Sequence, residues 1–319
     1  MRAVHGTARH YDWGDTTFIP DLLGLPADGR PWAEWWIGTH PSAPSTLDDG
    51  SPLAATTGSL PWLLKVLSAA QPLSMQTHPD AEAARRGFET GVFSDPNPKP
   101  ELLVALTSFS ALCGVRPIDA TVALLNDLNL GAVAQRIDSE GSVVSLVDDL
   151  YRGDFDPGVV IEACRGADRP EARWVVDLDT RYPGEPSVAV ALLLNLVELA
   201  PGEAIRLDAG NLHAYLSGSG LELMGSSDNV VRGGLTSKPV DVDLLLSTVD
   251  LTPLAEPVLP IADRYELPAA GVALDRVGTA LTVENPTVVF ESAGRFTLVE
   301  PGDVAEMPAG GYAVVPLEA

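Results

Sequence analysis

The sequence predicts a mainly β protein with a helical insertion and two β lobes, the second of them short. Three observations predict it. Short apolar runs separated by Gly and Pro fill residues 1–115 and return after Ala200, which is how strands and turns alternate. Between 116 and about 190 the apolar residues recur at helical spacing. A ten-residue stretch beginning at Pro201 is echoed one hundred residues later. With 319 residues and 45% hydrophobic content the chain can bury a full core in two or three lobes. The expected division is a larger β domain over 1–115 and 191–260, a helical insertion over 116–190, and a β lobe over 261–319.

Taken in order, the runs at 60–67, 102–106 and 109–115 read as strands. Residues 80–90 read as a short helix, with Pro79-Asp80 as its start and Ala81-Glu82-Ala83-Ala84-Arg85-Arg86 as good helix formers. Ile118 to Leu125, 143–151 and 159–165 carry the helical period. In the β region that follows, Pro201-Gly202 with Asp208-Ala209-Gly210 recurs as Pro301-Gly302 with Pro308-Ala309-Gly310. Each copy is a turn, a short strand, and a tight turn where Gly tolerates unusual dihedrals. The repeat resembles the second conserved motif of the cupin superfamily, which implies a metal-binding His three residues after the last Gly. His213 holds that position in the first copy and Ala313 in the second. The resemblance implies a cupin-type jelly-roll core and a C-terminal jelly-roll lobe that is metal-free.

Asp and Glu number 44 against 20 Lys and Arg, a formal net charge of -24. Such a surface repels nucleic acid and anionic lipid, so neither is an expected partner. It would also repel a phosphorylated metabolite unless positive charge is concentrated locally. Only three cations are lysines, and Lys65, Lys99 and Lys238 each sit in a polar block; with Arg232 they are the candidates. Cys113 and Cys164 lie in apolar surroundings and form no metal knuckle or disulfide framework. The N-terminus shows no signal-peptide core, and the longest apolar run, 188–194, is far shorter than the ~20 residues of a membrane span. A cytoplasmic protein, monomeric by default, is the expectation.

Gln76 and His78 are two apart, as are Lys99 and Glu101. Alternate residues of a strand share a face, so each pair can converge on one point. Pro98 and Pro100 hold Lys99 extended. Gln76, His78, Glu101 and His213 would make a mixed oxygen and nitrogen shell compatible with one zinc ion.

Longer blocks carry a second resemblance. They are Tyr11-Asp12-Trp13-Gly14, Ala33 through Ser42, Leu73 through Asp80, Lys99-Pro100-Glu101, His213-Ala214-Tyr215 and Ser227 through Arg232. In this order they resemble the signature blocks of type I phosphomannose isomerase, from Tyr11 to about Asp250. The resemblance implies a cupin-type core, a helical domain and a C-terminal lobe. It also implies one Zn2+ per chain and interconversion of mannose 6-phosphate and fructose 6-phosphate, so the partner would be a phosphorylated hexose. It places the metal on Gln76, His78, Glu101 and His213, the active-site arginine on Arg232, and pocket residues on Trp13, Ser74, Lys99, Tyr215, Glu222 and Lys238, with Lys65 nearby. Asp15 departs from the pattern, standing where a Lys is common.

The chemistry explains these residue types. Aldose–ketose isomerisation removes a proton next to a carbonyl and passes through an enediol(ate), whose negative oxygen needs a Lewis acid or a fixed cation. Guanidinium stays protonated, so Arg232 suits charge stabilisation and not proton abstraction. Glu222, a desolvated Lys238 or water on the metal could carry the proton. A non-haem iron oxygenase and a silent sugar-phosphate binder are the competing readings. The Arg232–Lys238 block argues against the first, and the complete set of site residues against the second.

Overall fold

A computed structural model describes residues 1–306 and 309–317. In chain order the strands are β1 (Arg2–His5), β2 (Thr7–Arg9), β3 (Glu34–Gly38), β4 (Thr46–Leu47), β5 (Trp62–Ala69), β6 (Met75–Thr77), β7 (Glu101–Ala105), β8 (Phe109–Val115), β9 (Leu194–Leu199), β10 (Ala204–Leu207), β11 (His213–Gly225) and β12 (Val231–Gly234). They continue as β13 (Val258–Leu259), β14 (Arg264–Leu267), β15 (Val272–Val277), β16 (Ala280–Leu281), β17 (Thr287–Phe290), β18 (Phe296–Val299), β19 (Ala305–Glu306) and β20 (Gly311–Pro316). The protein is mainly β, and helices Ile118–Asp127, Gly131–Glu140, Val144–Arg152, Gly158–Cys164, Pro170–Arg181 and Pro186–Ala191 follow one another between β8 and β9.

β11 organises the larger sheet. Its second half pairs with β5 and β7 and its first half with β6 and β8, so one long strand belongs to two branches. The change of partner falls at Gly218, whose φ is +110°. A Cβ there would lie 2.5 Å from the Ser108 carbonyl oxygen and 2.8 Å from the Phe109 Cα, so only glycine lets the strand bend this close to its neighbour.

Period-2 alternation then assigns the faces. On the first branch Leu64, Val66, Leu102, Val104, Leu221 and Leu223 point outward and form one apolar core with Tyr265, Leu274, Val288, Phe290, Leu298 and Val314 of the C-terminal strands. On the second branch Leu112, Ala214, Leu216 and Val231 point outward and pack under the helices. The inner faces look toward each other. At one end they close over Leu67, Leu103, Phe109, Ala111, Cys113 and Ile205; at the other they open as a cavity.

The smaller sheet runs β14-β15-β20-β17-β18-β1-β4. Its edge on the N-terminal side is built from the start of the chain: Arg2 and Ala3 pair with Leu298 and Thr297 of β18. The N-terminal residues thus lie in the C-terminal sheet, a pairing across almost the whole sequence. The echoed turns share their backbone geometry. Gly202 and Gly302 both have φ +92°, and Gly210 and Gly310 have φ +80° and +98°. Pro308 of the second copy lies outside the described residues. Three positions past these turns, His213 is buried beside Glu101, whereas Ala313 is buried in an apolar cluster of the smaller sheet.

Candidate metal centre and active site

A cavity of about 680 Å³ opens between the two branches. Register places its residues. Glu222 on β11 is the cross-strand partner of Lys65 on β5, Lys65 is opposite Trp36 on β3, and Met224 is opposite Glu101 on β7. On the other branch Gln76 on β6 lies opposite both His213 and Arg232. Directly opposed residues share a face, so these side chains turn inward together. Gln76, Glu101, Lys65, Lys99, Glu222, Tyr215, Trp13, Ser74, Arg232 and Lys238, all singled out in the sequence, line this one cavity. His78 and His213 are buried beside Glu101.

The centre of the site fits a metal ion. One ligand atom from each of His78, Glu101 and His213 falls within 4.8 Å of the others. His78 Nε2 stands 3.2 Å from Glu101 Oε1, and His213 Nε2 stands 3.4 Å from Glu101 Oε2. Yet His78 Nε2, His213 Nε2 and Glu101 Oε2 are buried with no hydrogen-bond partner, a costly arrangement unless something else satisfies them. The far ring nitrogens explain the orientation: His78 Nδ1 meets the Asn229 carbonyl at 2.8 Å and His213 Nδ1 the Asn211 carbonyl at 3.0 Å. A carbonyl only accepts, so each Nδ1 carries the proton and each Nε2 presents a lone pair, the tautomer a metal ligand needs. Burial and the nearby Lys99 charge push the His78 imidazole down to about 4, which keeps it neutral. Glu101 would be pushed up by burial, but Lys99 and the two histidines hold it well below the usual carboxylate range.

Asn229 is a support the sequence reading did not single out. Its amide donates to the Asp95 and Asn97 carbonyls at 2.8 and 3.0 Å, and its side-chain oxygen accepts from the Ser94 amide. The loop that carries Lys99 is thereby tied to the carbonyl that orients His78.

Beside the metal centre runs a buried polar chain. The Tyr215 hydroxyl donates to Glu222 Oε1 at 3.0 Å. Lys65 Nζ bridges Glu222 at 2.9 Å and Glu34 at 3.2 Å, and the Trp36 indole donates to the other Glu34 oxygen at 2.8 Å. Burial raises Glu222 above the ordinary glutamate range, with Lys65 opposing it. Lys65 would lose charge by burial, but Glu222, Glu34 and Glu101 together raise it. Its charge is therefore engaged on both sides, and Lys99 is likewise paired with Glu101 at 2.9 Å. Lys238 is exposed at the rim, so the burial a proton-abstracting lysine needs is missing there. Glu34 was legible only as part of the Glu34-Trp35-Trp36 block; its spacing of two from Trp36 was the available signal.

Residues 1–118 match the family model "Phosphomannose isomerase type I, catalytic domain". The mannose-6-phosphate isomerase of Escherichia coli (strain K12) is 32% identical over 291 residues, covering 78% of this chain and 74% of that protein. The chain belongs to the type I phosphomannose isomerases. Across kingdoms, mannose-6-phosphate isomerase 1 of Arabidopsis thaliana is 29% identical over 97% of this chain and 89% of its own length. Among solved structures, a mannose 6-phosphate isomerase bound with zinc and yttrium superposes with a TM-score of 0.82 at 26% identity, covering both chains completely. The Salmonella typhimurium mannose 6-phosphate isomerase bound to its substrate and a zinc atom reaches 0.79 at 27% identity, again over both full chains.

Proposed function

We propose that this chain is a zinc-dependent, cytoplasmic aldose–ketose isomerase that interconverts mannose 6-phosphate and fructose 6-phosphate through an enediol(ate). The observation that carries the reading is the convergence of three orphaned ligand atoms, on His78, Glu101 and His213, at the wall of a cavity that also holds Arg232. Family membership and the relative bound to substrate and zinc support it. Gln76 would complete the shell, since it faces His213 across the sheet. Zinc, when bound, supplies Lewis acidity where negative charge develops on the sugar oxygens.

The chain's own residues do the rest. Arg232 makes no ion pair with any described residue, so its guanidinium is free to face the enediolate oxygen. Glu222 is the better-placed proton carrier: it is buried, raised toward neutrality by that burial, and held in one orientation by Tyr215 and Lys65. Lys238 at the rim suits attraction of an anion, and Trp13 and Ser74 line the path of the sugar. The β core with its echoed turns is read as a cupin-type jelly roll, and residues 261–319 as a related lobe without a metal ligand.

The test is an isomerase assay on mannose 6-phosphate before and after chelation. Activity should disappear with chelator and return with zinc. A purified, zinc-loaded protein that leaves mannose 6-phosphate unconverted would overturn the reading.

A further inference from the structure

Sixteen of the twenty Lys and Arg side chains lie within 4.0 Å of a carboxylate, as expected in so acidic a chain. Among the described residues Arg9, Arg232, Lys238 and Arg276 do not. Three of these four open into the same cavity. Arg232 and Lys238 already have roles in the proposed reaction. Arg9 has none.

Arg9 is partly buried at the end of β2, its guanidinium stacked 4.5 Å from the Trp36 ring centroid. Its cross-strand neighbour Glu34 would be the obvious counter-ion, but the Glu34 oxygens are taken by Lys65 and by the Trp36 indole. Asp12 and Asp228 line the same cavity without pairing with it, and Asp228 lies 3.5 Å from His40 instead. Among the described residues the Arg9 side chain makes one hydrogen bond, and it is long, 3.4 Å from Nη2 to Ser42 Oγ. Its Nε is buried with no partner at all. A guanidinium with five donors, held over an indole ring and left without a carboxylate partner in a cavity, is built to receive an anion bidentately.

A hexose 6-phosphate carries its reacting carbons at one end and its phosphate at the other. The metal-ligating end of the cavity is at His213; Tyr215, Glu222, Lys65 and Trp36 follow it in contact order, and Arg9 comes last. Lys65 and Lys99 are neutralised by buried carboxylates and have no spare charge for a phosphate. We propose that Arg9 binds the phosphate of the sugar phosphate at the end of the cavity away from the metal. This rests on the isomerase reading above.

Arg9→Met keeps an unbranched chain against Trp36 and removes the charge; Arg9→Lys keeps the charge and loses the fork. Calorimetric titration of the zinc-loaded protein with inorganic phosphate, alongside steady-state kinetics, separates the outcomes. Loss of a charged hydrogen bond should weaken phosphate binding and raise KM for mannose 6-phosphate by about 10-fold or more in Arg9→Met. The kcat should stay within about twofold, because the group lies away from the reacting carbons. Arg9→Lys should recover part of both losses. A lower Tm in Arg9→Met with unchanged phosphate affinity would mean that Arg9 only stacks on Trp36, and the proposal would fail. Phosphate binding needs no turnover, so an inactive wild type whose phosphate affinity still depends on Arg9 would sink the reaction and leave this inference standing.

Discussion

Lys65 is buried between Glu222 and Glu34, with Glu101 adding to the field that keeps it charged. Replacing it with Met leaves two buried carboxylates without their shared cation, a change that costs about 3–5 kcal/mol in comparable buried pairs. Lys65→Met should therefore lower the unfolding free energy by that order. The sign of its pH dependence follows from Glu222, whose folded-state carboxyl is already raised by burial and would rise further without Lys65. A raised carboxyl binds more protons folded than unfolded, so stability falls as pH rises through it. The deficit of Lys65→Met, measured by denaturant titration, should be smallest at the ordinary glutamate pKa of about 4.3 and grow as pH rises above it; a deficit independent of pH would refute this account. Arg232 is the complementary case, a cation with no carboxylate partner among the described residues. Arg232→Ala should leave zinc content and folding nearly unchanged while lowering kcat by ~10²-fold or more, as loss of one preorganised donor does. Near-normal turnover would relegate Arg232 to a bystander.

A single strand, β11, carries His213, Tyr215 and Glu222 past the metal centre and into the polar chain. It does so because Gly218 lets it leave one pair of neighbours and join another. Gly218→Ala would combine a left-handed φ of +110° with a Cβ pressed 2.5 Å from backbone. The expected cost is at least ~1–3 kcal/mol, with loss of metal affinity, since His213 lies five residues before the bend. Gly302→Ala is the control: its φ is +92° but its Cβ would meet open space, so only the smaller dihedral cost applies and the metal should stay bound. Equal effects on metal content at the two glycines would show that the bend does not position the site.

The two large β sheets share one hydrophobic core, which contains Leu64, Val66 and Leu223 of the site sheet together with Phe290, Leu298 and Val314 of the smaller one. The outer face of the larger sheet is thus covered by the smaller sheet, while helices cover its other branch. A chain ended at residue 260 would leave that face bare and remove β18, the partner of β1. An exposed apolar face of that kind drives association, so the truncated chain should be found in the insoluble fraction. The full chain should unfold in one cooperative step, because the shared core couples the lobes. A soluble, zinc-binding 1–260 fragment would contradict this.

Much of the site was legible in the sequence for a physical reason. Extended backbone makes Gln76 with His78, and Lys99 with Glu101, share a side, although only Gln76 and Glu101 lie inside β6 and β7, with His78 just past the one and Lys99 just before the other; glycine's tolerance of positive φ marks the echoed turns at Gly202 and Gly210. Helical period likewise announced Ile118–Asp127 and Val144–Arg152. It missed Phe18–Leu23 and Val242–Thr248, helices of six and seven residues that stand alone between strands, whereas Gly158–Cys164, also seven residues long, was legible among neighbouring helices. What alternation cannot say is which strands become neighbours. That β1 lies beside β18, that Glu34 and Glu222 meet on either side of Lys65, and that Arg9 has lost Glu34 to Lys65 and Trp36 are consequences of long-range register. Local sequence determined which side chains could act together; packing of distant strands decided which charges are spent on one another and which are left for a substrate.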